Sequence, residues 1–385
     1  MYTRRLARPD RSFFLFGPRG TGKTTWLRQA FPDAVWFDLV RDAELFRLMR
    51  DADAFRQQVE ARPAGTWVVV DEVQRHPGLL NDVQDLIARH GRRYRYALTG
   101  SSARRLRRER ANLLAARVIN RRFFPLTAAE LGRDFRVEDA LRWGTLPAVA
   151  SESDSRARVD LLEAYVSNYI AQEIRLEAAV RRLDAFTRFL EVAALANAQV
   201  TNVSSLARDA AVARPTVQGY FDTLVDTLLG TWLPAWRPRA RVKEVGHPKF
   251  YFFDTGVARA LSARLREPLE RAERGSLLET YVFHELRAYQ DHAGCGGEFS
   301  YWATPSRAEV DFVWTRARRA VAIEVKAVTR WRSEDARTLA GLLDDGVVGR
   351  AYAVYEGTAP LRTGRVDVLP VAAFLDRLSA GQIIG

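Results

Sequence analysis

One glycine-rich segment, Gly17-Pro18-Arg19-Gly20-Thr21-Gly22-Lys23-Thr24-Thr25, carries the clearest chemical signal in the chain. It fits the spacing G-x-x-x-x-G-K-[ST], directly after an apolar run (13–16) and before a helical pattern. Glycines at these positions let backbone N–H groups curl around phosphates, and the N-terminus of the following helix adds a positive dipole. Lys23 then reaches the terminal phosphates, and Thr24 offers a hydroxyl to Mg²⁺. The segment therefore predicts a nucleotide phosphate site.

Two acids complete this site. Asp71 and Glu72 follow the buried apolar run Val68–Val70, so that Asp71 can hold Mg²⁺ through water and Glu72 can polarise an attacking water. At this spacing after the glycine-rich segment, the pair favours hydrolysis over binding alone. Thr99, Ser101 and Ser102 end another strand pattern, where they can orient water or sense the γ-phosphate, with Ser101 the candidate we favour. A plain Gly-Ser turn is the alternative.

The elements that position these residues form three regions. Short apolar runs alternate with helical patterns as far as Phe124, which predicts a parallel sheet buried between helices. Long helical patterns follow to about residue 229. After the charged stretch 264–274, the predicted order is a helix (276–290), three strands, a helix and a strand. The predicted fold is α/β, with a P-loop core (1–135), a helical and winged-helix middle domain (136–268) and an α/β C-terminal domain (269–385).

The segment 204–229 reads as a helix–turn–helix whose second helix opens at Pro215. Arg214, Thr216 and Gln218 then lie near base edges. A basic stretch follows, which a β-wing would use to track phosphates; its basic residues are Arg237, Arg239, Arg241, Lys243 and Lys249, against one Glu. Winged helices also serve as protein contacts or lids, so a protein-binding role stays open.

The C-terminal region holds a second candidate centre. Asp311 lies on one predicted strand, and Glu324 and Lys326 lie on the next. In a β-hairpin these side chains can converge at one end, where two carboxylates would hold Mg²⁺ and Lys326 would orient or deprotonate a water. The alternative is an alternating, solvated strand edge.

Charge and composition limit the function classes. The 385 residues carry a net charge of +12, with four lysines among 59 basic residues. Residues 91–122 hold eleven arginines and one acid, a local field that suits a polyanion or, alternatively, a solvated helix face in an arginine-biased chain. The single cysteine, Cys295, excludes an internal disulfide and favours a reducing compartment. No signal peptide or membrane span is expected, so we expect a cytoplasmic protein.

At these residues the chain resembles the AAA+ ATPases. It is similar, more narrowly, to predicted bacterial and archaeal ATPases that join an AAA+ domain to a nuclease-like C-terminal domain of unknown function. The matching segments are Gly17–Thr25, Asp71–Gln74, Leu98–Ser102, Leu114–Arg117, Phe124–Leu131, Gly144–Pro147, Tyr251–Gly256 and Glu309–Lys326. The resemblance implies ATP as the nucleotide, a homo-oligomer, and an arginine that acts on a neighbouring subunit's nucleotide. Arg117 has that place, with Arg104 and Arg105 as rivals.

The C-terminal order of elements and the D…ExK pattern resemble the PD-(D/E)XK nuclease fold. In that fold a helical acid often completes the site, which implies a role for Glu279. Such domains also bind without cutting. We therefore expect Mg²⁺-dependent ATP hydrolysis coupled to DNA binding or remodelling in repair, recombination or mobile-element defence. The alternatives are an ATP-controlled, metal-dependent nuclease and a non-cutting nucleotide switch that recruits a protein.

Overall fold

The N-terminal unit is built on a five-stranded parallel sheet. The computed structural model describes residues 2–101, 114, 117–170, 182–237, 246–305 and 308–385. Contacts divide the chain into an N-terminal unit (4–125 and 226–229) and a C-terminal unit (1–3, 126–225 and 230–385). The strands of the N-terminal unit are β1 (Phe13–Phe16), β2 (Val35–Asp38), β3 (Trp67–Asp71), β4 (Arg95–Gly100) and β5 (Ile119–Arg122). Their spatial order is β2-β3-β4-β1-β5.

Helices cover both faces of this sheet. The described helices are α1 (Lys23–Ala30), α2 (Asp42–Arg50), α3 (Ala54–Glu60) and α4 (Leu79–His90). Alternate residues of β3 enter different cores, Val68 and Val70 on one face and Trp67 and Val69 on the other. Burial on both faces explains why β3 is a continuous apolar run. The predicted parallel sheet between helices is confirmed, and its strands are the short apolar runs that alternate with the helices.

The C-terminal unit begins with short helices and a winged-helix arrangement. Its first helices are α5 (Ala128–Leu131), α6 (Val137–Trp143), α7 (Pro147–Ala150), α8 (Ser155–Ala164), which continues as a π-helical segment (Tyr165–Ile170), and α9 (Leu183–Leu195). Then follow α10 (Val203–Asp209), α11 (Arg214–Asp226), the antiparallel pair β6 (Gly230–Leu233) and β7 (Lys249–Phe252), and α12 (Thr255–Leu261). The side chain of Asn202 caps α10 by accepting from the N–H groups of Ser204 and Ser205.

A six-stranded mixed sheet ends the chain. It follows the long helix α13 (Arg271–Ala293). Its strands are β8 (Glu298–Ala303), β9 (Glu309–Arg316), β10 (Arg319–Lys326), β11 (Arg350–Tyr355), β12 (Leu361–Thr363) and β13 (Val366–Pro370). Helix α14 (Arg337–Asp344) connects β10 to β11, and α15 (Val371–Ser379) follows β13. The strand order is β12-β13-β11-β10-β9-β8. Strands β8, β9 and β10 are antiparallel neighbours, and β11 is parallel to both β10 and β13. The sequence analysis missed β12, β13 and α15.

Two of the short motifs meet at a buried carboxylate. Asp254 accepts hydrogen bonds from the N–H groups of Thr145 (2.8 Å) and Val257 (3.0 Å). Gly144 has a φ of 72°, and a Cβ there would lie 2.0 Å from Asp254 Oδ1. Burial raises the pKa of Asp254 to about 6. The segments Gly144–Pro147 and Tyr251–Gly256 therefore form a structural joint, in which only glycine fits beside the carboxylate.

No helix within the described ranges is both long enough and apolar enough to cross a membrane.

Candidate functional site

The glycine-rich segment connects β1 to α1, as expected. Gly20 and Gly22 have φ values of 79° and 91°, a region that glycine adopts at no steric cost. Gly17 lies against β5, because a Cβ there would stand 2.4 Å from the Phe123 carbonyl oxygen. The Lys23 ammonium donates to the carbonyl oxygens of Gly17 (2.7 Å) and Pro18 (3.1 Å), and its side chain is buried. Two carbonyl oxygens of the loop thus bind the ammonium group of Lys23.

Asp71 joins this loop to the end of β4. Thr24 Oγ1 donates to Asp71 Oδ2 at 2.7 Å, and Thr99 Oγ1 donates to Asp71 Oδ1 at 2.5 Å. Both Asp71 and Thr99 are buried. The carboxyl ends of parallel strands lie at the same edge of a sheet. The carboxyl ends of β3 and β4 therefore lie beside the loop that follows β1. Residues 24, 71 and 99 therefore form one hydrogen-bonded group.

Glu72 stands next to this group in a constrained conformation. Its φ of 57° is left-handed, which is uncommon outside glycine, and its N–H donates to Thr99 Oγ1 at 2.8 Å. Its carboxylate accepts from Ser101 Oγ at 3.2 Å and, through a short contact, from the Gln74 amide. Gln74 Nε2 also contacts Ser101 Oγ at 2.9 Å. Glu72 is therefore positioned by both its backbone and its carboxylate.

Gln74 is a site residue to which the sequence analysis assigned no role. It belongs to the segment Asp71–Gln74, which resembles the AAA+ pattern. A polar side chain two residues after the candidate catalytic acid Glu72 is the feature of the sequence that points to a role. The structure buries it between Glu72 and Ser101, so its amide fixes their separation.

The residues at this edge fit a magnesium nucleotide. Thr24 and Asp71 supply hard oxygen ligands of the kind that Mg²⁺ prefers, and their oxygens are already 2.7 Å apart. Lys23 supplies a point charge for phosphate, and α1 begins at this residue, so the positive end of the helix dipole lies at the loop.

The arginine expected to act between subunits lies near the N-terminal end of β5, whereas the glycine-rich loop follows the carboxyl end of the neighbouring parallel strand β1. Arg117 is exposed, precedes β5, and its N–H donates to the Leu114 carbonyl oxygen at 3.0 Å. Its rivals Arg104 and Arg105, as well as Ser102, lie outside the described residues. The choice among the three arginines stays a prediction.

The DNA-contact candidates lie on the winged-helix part of the C-terminal unit. Arg214, Thr216 and Gln218 are exposed on the first turns of α11. Arg214 and Gln218 are four positions apart and share a helix face, whereas Thr216 points elsewhere. Arg237 is exposed after β6, and Arg239 and Arg241 lie outside the described residues.

Four predicted residues of the C-terminal centre line one cavity of about 660 Å³. They are Glu279 on α13, Asp311 on β9, and Glu324 and Lys326 on β10. The Val325 N–H donates to Asp311 Oδ2 at 2.7 Å, and Lys326 Nζ lies 2.7 Å from Glu324 Oε1. The long helix and the hairpin thus converge on what we call the carboxylate pocket, defined by Glu279, Glu309, Asp311 and Glu324.

Lys249 occupies the carboxylate pocket. The expectation that Lys249 lies on a phosphate-tracking wing is wrong, because its side chain on β7 is buried. Its Nζ lies 2.8 Å from Glu279 Oε1, 2.5 Å from Glu309 Oε1 and 3.6 Å from Asp311 Oδ1. Strand alternation places Tyr251 on the same side, and its hydroxyl donates to Glu279 Oε1.

With this lysine in place, the carboxylates do not fit a divalent ion. Within the described part of the chain, no three His, Cys, Asp or Glu side chains are arranged to hold a metal. Burial raises the pKa of Glu279 to about 8, and burial together with the Asp311 charge raises the pKa of Glu324 well above its usual range. Burial and crowding thus favour partial protonation of Glu279, Asp311 and Glu324.

Three family models divide the chain between them. Residues 9–132 match an AAA domain. Residues 134–268 match a domain of unknown function (DUF8612), and residues 274–374 match another (DUF4143). The AAA match agrees with the parallel sheet and the glycine-rich loop of the N-terminal unit, and it indicates nucleotide-dependent activity. A search of curated proteins finds no match.

Several solved structures are distantly similar to this chain. A RuvB variant from Thermotoga maritima is 16% identical, covering 58% of this chain and 82% of that chain, with a TM-score of 0.29. The DNA clamp loader delta protein (YqeN) of Bacillus subtilis is 12% identical over 71% of this chain and 94% of that chain, with a TM-score of 0.26. Can2 from Sulfobacillus thermosulfidooxidans, in complex with cyclic tetra-adenylate, is 14% identical over 97% and 100%, with a TM-score of 0.23. At such scores these likenesses carry no argument about this chain.

Proposed function

We propose that the N-terminal unit hydrolyses ATP with Mg²⁺. The observation that carries this proposal is the hydrogen-bonded group at the sheet edge, in which Thr24, Asp71 and Thr99 are joined and Glu72 is anchored beside them. A phosphate-binding loop alone would bind nucleotide, whereas hydrolysis also needs a positioned group that activates water. Glu72 is that group, held by Ser101 and Gln74.

The residues then have separate tasks. Lys23 and the loop N–H groups bind the phosphates, while Thr24 and Asp71 hold the metal. The bound metal neutralises charge on the phosphate oxygens. Glu72 accepts hydrogen bonds from the side chains of Gln74 and Ser101, and a carboxylate has further acceptor capacity for a water.

We propose DNA as the macromolecule to which this ATPase responds, as a homo-oligomer in the cytoplasm. The support is electrostatic: the net charge is +12, and Arg214 and Arg237 are exposed on the winged-helix part of the chain. A nucleotide switch that recruits a protein partner uses the same ATP site and is the competing proposal. The two differ in whether DNA changes turnover.

The deciding experiment is ATP turnover by the full chain with and without single-stranded, duplex and branched DNA. We expect one DNA form to raise the rate. Glu72→Gln should bind ATP and fail to hydrolyse it, whereas Lys23→Ala should bind ATP weakly, because its phosphate contact is lost. Equal turnover in Glu72→Gln and the parent chain would remove Glu72 from the chemistry. Turnover that no DNA form changes would support the protein-recruiting switch.

A further inference from the structure

One ammonium group lies where the acidic side chains of the carboxylate pocket converge. Lys249 comes from β7, whereas Glu279 comes from α13 and Asp311 from β9. All of these elements belong to the C-terminal unit. The distances of 2.8 Å to Glu279 and 3.6 Å to Asp311 place its Nζ among the oxygens, at the position that a metal ion bound by the same acids would need.

The backbone holds this lysine in place. Lys249 pairs with Leu233 in the β6–β7 ladder and forms a bridge with Val200 on its other side. Its side chain is 3% exposed, and Nζ lies 5.4 Å from the centre of the Tyr301 ring. The backbone of Lys249 is therefore fixed on both sides, and its side chain is shielded from solvent.

The remaining donor set is otherwise suited to a cation. Glu324 Oε2 is buried and has no hydrogen-bond partner among the described residues, although Glu324 lines the cavity. Buried carboxylate oxygens of this kind normally have a partner. A divalent ion that used Glu324 and Asp311 would stand beside the Lys249 ammonium, which lies 3.6 Å from Asp311 Oδ1, and at such distances two like charges repel.

We propose that Lys249 is the resident cation of the carboxylate pocket, that it excludes divalent metal ions, and that its removal would convert Glu279, Asp311 and Glu324 into a divalent-cation site. The C-terminal unit then does not use metal-dependent phosphodiester cleavage while Lys249 is in place. This inference is independent of ATP hydrolysis at the N-terminal unit.

The test uses Mn²⁺ alone, without nucleotide, titrated into the full-length protein and followed by calorimetry or electron paramagnetic resonance. Every chain carries Asp71→Asn, which removes the carboxylate that would hold Mn²⁺ beside the glycine-rich loop. Without further change, we expect no site tighter than about 1 mM, the weak end of protein sites for divalent ions. Adding Lys249→Met should create one site at least about tenfold tighter, and adding Asp311→Asn to that variant should abolish it.

Lys326→Met is the matched control, because it removes a second ammonium from the same pocket. The Lys326 side chain is 41% exposed, whereas that of Lys249 is buried. Lys326→Met should create no comparable site. The proposal is overturned if the chain with Lys249 already binds Mn²⁺ through Asp311, if Lys249→Met gains no site, or if Lys326→Met gains an equal one. Circular dichroism checks folding, and Lys249→Gln, which can still donate to Glu279, replaces Lys249→Met if that variant unfolds.

Discussion

The hydroxyl of Thr99 joins the two acids of the nucleotide site, so its removal should affect both stability and turnover. Thr99→Val keeps the shape of the side chain and removes two hydrogen bonds, one to Asp71 Oδ1 at 2.5 Å and one from the Glu72 N–H at 2.8 Å. A bond to a charged group is worth roughly 1.5–3 kcal/mol, and leaving the part-buried Glu72 N–H without a partner costs about 1 kcal/mol, the low end for a buried group. The expected loss in the free energy of unfolding is therefore about 2.5–4 kcal/mol.

Turnover should fall as well, because a misplacement of about 1 Å in a reacting group costs up to roughly 100-fold in rate. We expect the kcat of Thr99→Val for ATP to fall about 10–100-fold, while ATP affinity stays largely unchanged because Lys23 is untouched. Urea denaturation followed by circular dichroism and a phosphate-release assay measure the two effects.

Thr66→Val is the control, since Thr66 lies just before the other end of β3 and its hydroxyl donates to the Pro63 carbonyl oxygen at 2.8 Å. It should lose roughly 0.5–1.5 kcal/mol and keep full turnover. If Thr99→Val loses less than about 1 kcal/mol and keeps its kcat, Thr99 does not position the two acids.

Three further outcomes are expected. DNA affinity should fall steeply with salt, and Arg237→Ala should lower the log–log slope by roughly 1, whereas a salt-independent affinity would contradict phosphate contact. Burial raises the pKa of Asp254 to about 6 from 3.8, so the folded state binds a proton that the unfolded chain has released. The stability of the C-terminal unit due to this group should therefore rise by about 2.4 kcal/mol as the pH falls from 7 through 6 to 4, and denaturation of Asp254→Asn should lack that rise. Arg117→Ala should bind ATP but hydrolyse it slowly, and mixing it with Lys23→Ala should restore part of the activity if subunits exchange; near-parental turnover in Arg117→Ala alone would transfer the role to another arginine.

Local signals in the sequence predicted the elements whose residues are contiguous. The glycine-rich loop, the five parallel strands and the α10–α11 pair are each encoded within a few residues, because apolar periodicity, glycine and proline act over that range. The same signals were weak elsewhere. Strand β12 is three residues long and partly exposed, so no apolar run marks it. The charged stretch 264–274 hides the start of α13, which begins at Arg271 rather than at the predicted residue 276, and Arg274 in its first turn pairs with Glu138 and Glu356.

The sequence by itself also predicted which residues lie together at the candidate nucleotide site, since Lys23, Thr24, Asp71 and Glu72 belong to contiguous motifs at strand ends, and parallel strands bring those ends to one edge. Only the tertiary structure decided the nature of the carboxylate pocket. Lys249 is 30 residues from Glu279 along the chain, and its basic neighbours made it look like part of a wing. Two features of Lys249 were weak signs of burial. It is a lysine in a chain that mostly uses arginine, and it lies two residues before Tyr251 on the same strand. Its partners were set by the packing of β7 against α13 and β9, which no local pattern records.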